Sequence, residues 1–281
     1  MDFNKNIYQN REDLGRPFLV SHRGVYGANI PCNTLESYSI AIAQGADVVE
    51  IDVSKSKDGK FFVFHPGMEP QFLKSDKLIP ELTYDEVKKL RLYNYDGVLT
   101  HYEVPELKEV FSLLKDKAYI NVDKYWNDVK GITEEIRKCG VEKQVIVKSF
   151  EDEKVFAEVK KYASDLMYMC MVRDKDTITD KLCEYGLNLI GEEVLFSDLS
   201  ADVISDEYIN SMHAKQKLVW VNPIIYNEKE IIAASFTDDL SLTRGADNGW
   251  GKLIDRNVDF IQTDWLIPLK SYIEQRLRKG K

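Results

Sequence analysis

The chain has 281 residues and a mass of 32.5 kDa, the size of one large domain or two small ones. Hydrophobic residues make up 44%, too many for a disordered chain, and no apolar run approaches the roughly 20 residues of a membrane span. The net charge of −9 argues against a nucleic-acid partner, which needs a basic footprint. The N-terminal stretch MDFNKNIYQNREDLGRPF is polar, so a cytoplasmic location without stable membrane association is expected. Cys32, Cys139, Cys170 and Cys183 form no C-x-x-C pair, which gives zinc and thioredoxin chemistry no support.

Short β-rich runs alternate with helical patterns along the chain. The first run is FLV (18–20), and Asn33 with Glu36 then reads as a helix cap. DVVEIDV (47–53) and FFVF (61–64) follow, separated by Asp58-Gly59, a strong hairpin turn signal. With that pair as the turn, Lys57 faces Lys60 and Asp52 faces His65. The stretch from about 66 to 104 exceeds an ordinary loop. It carries one helix, TYDEVKKLRL, with Thr83 and Glu86 as its cap, and reads as a capping insertion. Pro105 opens the helix PELKEVFSLL. The runs AYINV (118–122), QVIVK (144–148), LMYMCMV (166–172), NLI (188–190), KLVWV (217–221) and DFIQT (259–263) complete the series, with Ser149 and Asp152 capping the helix after the fifth run. Nearly continuous apolar runs suit parallel strands covered on both faces. With 61–64 taken as the returning arm of a hairpin, eight βα strands remain. The expected fold is therefore a single α/β domain over 1–281, a (β/α)8 TIM-type barrel with a β-hairpin after strand two.

In such a barrel the working groups stand at the C-terminal strand ends. Strand one ends in Ser21-His22-Arg23-Gly24, and strand two carries Glu50 and Asp52 on one face. The hairpin returns His65 to that neighbourhood. Later strands end at Asp123-Lys124, Lys148-Ser149, Trp220-Val221-Asn222 and Thr263-Asp264-Trp265. Carboxylates without thiolates favour Mg²⁺ or Ca²⁺ over zinc. Arginine after a strand-end histidine suits a phosphate contact, and two facing histidines can serve as general acid and base. Together these groups point to metal-assisted cleavage of a phosphodiester. On composition alone Trp220 is a packing residue. His101 and His213 are assigned to surface or packing roles.

These residues resemble the glycerophosphodiester phosphodiesterase family. The matching features are His-Arg-Gly (22–24), Asn33-Thr34 with Ser37, Gly-Ala-Asp (45–47) before Glu50-x-Asp52, and the Lys-Asp-Gly turn (57–59). His65, Trp220-x-Asn222 and Thr263-Asp264 complete the pattern in order. The resemblance implies hydrolysis of a small-molecule glycerophosphodiester to glycerol 3-phosphate and an alcohol with a divalent cation. It implies His22 and His65 as the acid–base pair and Glu50, Asp52 and Asp123 as metal ligands. Arg23, Lys148 and Trp220 are the expected phosphate and substrate contacts. The chain departs from the family's usual pattern at Pro66, where Asp is usual, and at Trp265, where Pro is usual close by. It departs again at Asn121-Val122-Asp123-Lys124, with Asp for Glu and the lysine one place early. That shift turns Lys124 to the opposite strand face and leaves Lys148 to supply the cation. The alternatives are a cyclising phospholipase-type enzyme on the same barrel and a non-catalytic phosphodiester binder.

Overall fold

A computed structural model describes residues 1–225 and 230–279. Its strands are β1 (Phe18–Ser21), β2 (Val48–Lys55), β3 (Phe61–Val63), β4 (Tyr119–Asp123), β5 (Val145–Phe150), β6 (Met167–Arg173), β7 (Leu189–Leu195), β8 (Leu218–Val221) and β9 (Phe260–Thr263). All but β3 form parallel ladders in the order β1-β9-β8-β7-β6-β5-β4-β2, and a further β1–β2 pairing closes the cylinder. The result is an eight-stranded (β/α)8 barrel with β3 paired antiparallel to β2 outside it.

Strand alternation sorts the side chains into two cores. Phe18, Val20, Val48, Tyr119, Ile146, Met169, Leu218, Trp220 and Phe260 fill the barrel interior. Val49, Ile51, Ile120, Val122 and Val147 face the helical shell instead. The helix Ile7–Leu14 lies under the barrel floor, where Ile7 joins the interior cluster and the Asn10 amide donates to Tyr119 Oη at 2.7 Å. Among the described residues, no helix is long and apolar enough to cross a membrane.

The structure corrects several local expectations. The β2–β3 register pairs Ser54 with Phe62 and Lys55 with Phe61, one residue away from the predicted alignment. Ser56 N–H donates to Lys60 at 2.8 Å, so the turn holds three residues, with Gly59 in the left-handed region at φ 83°. A three-residue loop ending in such a glycine is the next commonest hairpin after the two-residue form. Phe64 therefore faces Asp52, and His65 lies just beyond the strand. Thr34, not Asn33, caps the helix Leu35–Gln44, in a reciprocal box with Ser37. Asp152, not Ser149, caps Glu153–Tyr162. Pro105 precedes Glu106, the cap of Leu107–Leu114, instead of opening that helix. The helix read at TYDEVKKLRL is a single turn, Tyr84–Val87, after which Leu92 N–H donates to Tyr102 and Thr100 N–H to Leu92, both at 2.9 Å. The 66–104 segment has its own small core of Phe72, Leu73, Ile79, Leu82, Val87 and Leu92, packed on Phe62 and Phe64 beside the hairpin.

Candidate active site

The C-terminal ends of the barrel strands surround a two-sided cleft. His22, Arg23, Glu50, His65, Asp123, Lys124, Lys148, Glu193, Asn222 and Gln262 make its polar wall and floor. Trp126, Phe150, Met171, Leu195, Ile224 and Ile232 make its apolar wall.

The acids meet because β2 and β4 are adjacent and in register. Glu50 pairs with Asn121 and Asp52 with Asp123, all on the inward face. One oxygen from each of Glu50, Asp52 and Asp123 lies within 4.8 Å of the others. Glu50 Oε2 accepts the Arg23 backbone N–H at 3.0 Å. Asp52 Oδ2 accepts from the Asn33 amide at 2.9 Å and lies 2.9 Å from Arg23 Nε. Asp52 Oδ1 is buried with no hydrogen-bond partner among the described residues. Burial, reinforced by Asp52 and Asp123, pushes the Glu50 carboxyl well above the usual range. Burial also acts on Asp123, but Lys148 and Lys124 outweigh it and hold this carboxyl far below the usual range. An orphaned carboxylate oxygen, a buried acid whose charge is disfavoured and a set of hard oxygen donors suit a divalent cation such as Mg²⁺ or Ca²⁺.

Arg23 and Gly24 both adopt left-handed backbone, with φ 57° and 81°. A side chain at Gly24 would meet Ser37 atoms at 2.4–2.8 Å, so the tight turn after His22 needs glycine there. The turn aims the Arg23 N–H at Glu50 and folds its guanidinium onto Asp52. Burial opposes the Arg23 charge, but Asp52 and Glu50 outweigh it and keep the group firmly protonated.

The two histidines are held differently. His22 Nδ1 is 2.8 Å from Asp264 Oδ1, which also accepts from Tyr26 Oη at 2.8 Å. Tyr26 stacks on Tyr95 of the 66–104 segment, with centroids 5.7 Å apart. The Asn94 amide of the same segment donates to Asn29 at 3.0 Å. His65 Nε2 stands 4.0 Å from Asp52 Oδ1, and neither ring nitrogen has a hydrogen-bond partner among the described residues. Burial lowers the His65 pKa despite Asp52, so the ring is neutral near pH 7.

Lys148 is buried at 3% exposure, with Nζ 2.8 Å from Glu193 Oε2 and 3.8 Å from Asp123 Oδ1. Its burial is outweighed by Glu193 and Asp123, so its pKa is raised and it stays charged. Asn222 donates to Glu193 Oε1 at 2.7 Å and accepts from Trp220 Nε1 at 2.8 Å. Trp220 itself is 0% exposed and stacks on Phe260 inside the barrel. It lies beneath the site as a support for Asn222 and has no surface to offer a substrate. Lys124 is not turned away. Its φ of 62° breaks the strand alternation, and Nζ reaches Asp123 Oδ2 at 3.0 Å inside the cleft.

Glu193 escapes sequence reasoning because Gly191-Glu192-Glu193 interrupts the apolar pattern after 188–190. β7 in fact continues to Leu195. Tyr26 lies in a loop with no spacing signal. Asp264 stands at a strand end, and its place two residues after inward-facing Gln262 is the signal for its turn toward His22. His213 Nε2 pairs with Asp259 at 2.8 Å away from the cleft, and His101 is exposed, as assigned.

Residues 22–221 match the Glycerophosphoryl diester phosphodiesterase family. The chain is 30% identical over 167 residues to a glycerophosphodiester phosphodiesterase of Caldanaerobacter subterraneus subsp. tengcongensis, covering 55% of this chain and 68% of that protein. It is 30% identical over 144 residues to one of Bacillus altitudinis, spanning 47% of this chain and 57% of that relative's length. Its fold is similar to a crystal structure of a glycerophosphoryl diester phosphodiesterase from Parabacteroides distasonis, with TM-score 0.76 at 19% identity over 92% of this chain and 87% of that one. It is also similar to an Oleispira antarctica phosphodiesterase in complex with the product sn-glycerol-3-phosphate, with TM-score 0.70 at 19% identity over 93% and 98% of the two chains. The match over 22–221 starts at His22 and takes in both histidines and all three clustered carboxylates, and on it the chain belongs to the glycerophosphoryl diester phosphodiesterase family.

Proposed function

We propose that the protein hydrolyses glycerophosphodiesters to glycerol 3-phosphate and an alcohol, with Mg²⁺ or Ca²⁺ as cofactor and His22 and His65 as its acid–base pair. The observation that carries this reading is the cluster of Glu50, Asp52 and Asp123 at the cleft that also holds both histidines. Glu50, Asp52 and Asp123 would hold the cation, which when bound supplies charge neutralisation for the phosphate.

The chain's own residues divide the remaining work. Arg23, Lys124 and Lys148 present positive charge to the phosphate oxygens and stabilise the charge that builds on them. His65, kept neutral by burial, takes a proton from the attacking water. Asp264 fixes the ring orientation of His22 and, as an acceptor only, selects the tautomer with hydrogen on Nδ1. Protonated at Nε2 as well, His22 gives that proton to the departing alcohol while its positive ring faces Asp264. The apolar wall shields this exchange from bulk water.

The test is phosphorus NMR of the purified protein with glycerophosphocholine, with and without chelator. Accumulating glycerol 3-phosphate that stops on chelation is the expected result. A cyclic phosphate product would replace this reading with the cyclising reaction, and binding without turnover would replace it with a phosphodiester-binding barrel.

A further inference from the structure

Gln262 has no part in the mechanism above, yet it lines the same cleft. It sits on β9 two residues after inward-facing Phe260, opposite Val20 of β1 in the ladder. The residue is 4% exposed, and its side-chain oxygen is buried with no hydrogen-bond partner among the described residues. Asn222, one residue past the adjacent strand β8, and Lys148, in the same cleft, are committed elsewhere. Asn222 uses its oxygen on Trp220 and its amide nitrogen on Glu193, and Lys148 is held by Glu193. A buried amide left unpaired is costly, and such a group at the edge of a binding cleft marks where a ligand completes the pairing.

We propose that Gln262 is a specificity-determining residue that hydrogen-bonds a hydroxyl group of the phosphodiester substrate, favouring a polyol ester over a plain alkyl one. This rests on the functional reading above. The chemistry of the orphaned group selects the partner. A carbonyl oxygen needs a donor, and a phosphodiester anion has only acceptors. An ammonium donates but has no lone pair with which to accept from the amide nitrogen. A hydroxyl donates to the amide oxygen and can accept from its nitrogen, so it matches both halves of the side chain. A site built to bond a hydroxyl discriminates strongly against the analogue lacking it, because its own polar group is then left unpaired.

The experiment is titration calorimetry of glycerol 3-phosphate, propyl phosphate and 3-aminopropyl phosphate against the calcium-loaded wild type, Gln262→Leu and Gln262→Ala. The wild type should bind glycerol 3-phosphate about tenfold or more tightly than propyl phosphate. Both variants should lose most of that ratio through weaker binding of glycerol 3-phosphate, with propyl phosphate little changed. Two variants of different volume, each checked by its melting curve, separate the lost hydrogen bond from altered packing. Full discrimination retained by folded variants, or 3-aminopropyl phosphate bound as tightly as glycerol 3-phosphate, overturns the proposal. Failure of the wild type to bind any of the three overturns the functional reading and the proposal with it.

Discussion

Glu50→Gln isolates the electrostatics of the acidic cluster. At an effective dielectric of about 20, two carboxylate charges 4.8 Å apart repel by roughly 3.5 kcal/mol. Arg23 contacts Asp52 at 2.9 Å and Lys124 contacts Asp123 at 3.0 Å, whereas Glu50 accepts a backbone N–H at 3.0 Å and has no ion pair within 4 Å among the described residues. Without a cation, then, the ionised form of Glu50 is disfavoured, and glutamine is a close neutral mimic of its protonated form. At pH values below the raised Glu50 pKa, the substitution should therefore change metal-free stability little. It should also flatten a pH dependence. A raised folded-state pKa means that the stability contributed by this carboxyl is complete below its unfolded value of 4.5 and is lost as pH rises through the higher folded value. In the wild type, a cation at about a hundredfold its dissociation constant adds about 2.7 kcal/mol. With roughly 2.1 cal/mol/K of unfolding entropy per residue, that is a rise of about 4–5 °C in Tm for 281 residues. Differential scanning calorimetry in chelator and in Mg²⁺ or Ca²⁺ reads both effects. An equal cation-induced rise in wild type and Glu50→Gln would refute the reasoning.

Other substitutions probe the supports of the site. His22→Ala and His65→Ala should each lower turnover by about 10²–10⁴-fold with an unchanged circular dichroism spectrum. Near-normal turnover of either variant removes that histidine from the mechanism. Tyr26→Phe deletes a hydrogen bond to Asp264 Oδ1 and should lower kcat about tenfold with KM little changed, measured by steady-state kinetics. A loss confined to KM would place Tyr26 in binding instead. Asp238 lies behind the site, accepting from Trp250 Nε1, Thr263 Oγ1 and the Asp264 backbone N–H. Burial pushes its carboxyl up to about 7, so its contribution to stability is lost as pH rises from about 4 through 7. Cation-saturated urea unfolding should show that decline in the wild type and a flatter profile in Asp238→Asn.

The barrel was legible because parallel strands buried on both faces must be apolar almost throughout, and each of the runs so read became a strand. Glu50 and Asp52 stood out for the complementary reason, as charges where burial is costly. What escaped was geometry decided by single backbone positions. The left-handed Lys124 swings into the cleft against simple alternation, and the third turn residue shifts the hairpin register by one. Asn33 has the composition of a cap, yet its side chain binds Asp52 and accepts from Tyr38 Oη at 2.6 Å, a tertiary use that no local pattern encodes. Tyr26 acts across 238 positions on Asp264, and such long-range partners emerge only once the barrel closes.

The most direct test of the account is anomalous diffraction from crystals grown with Mn²⁺ as the divalent cation. One peak within about 2.0–2.6 Å of oxygens from Glu50, Asp52 and Asp123, beside His22 and His65, is the predicted result. A saturating soak that leaves these three carboxylates without a peak, or places the ion on other residues, would contradict it.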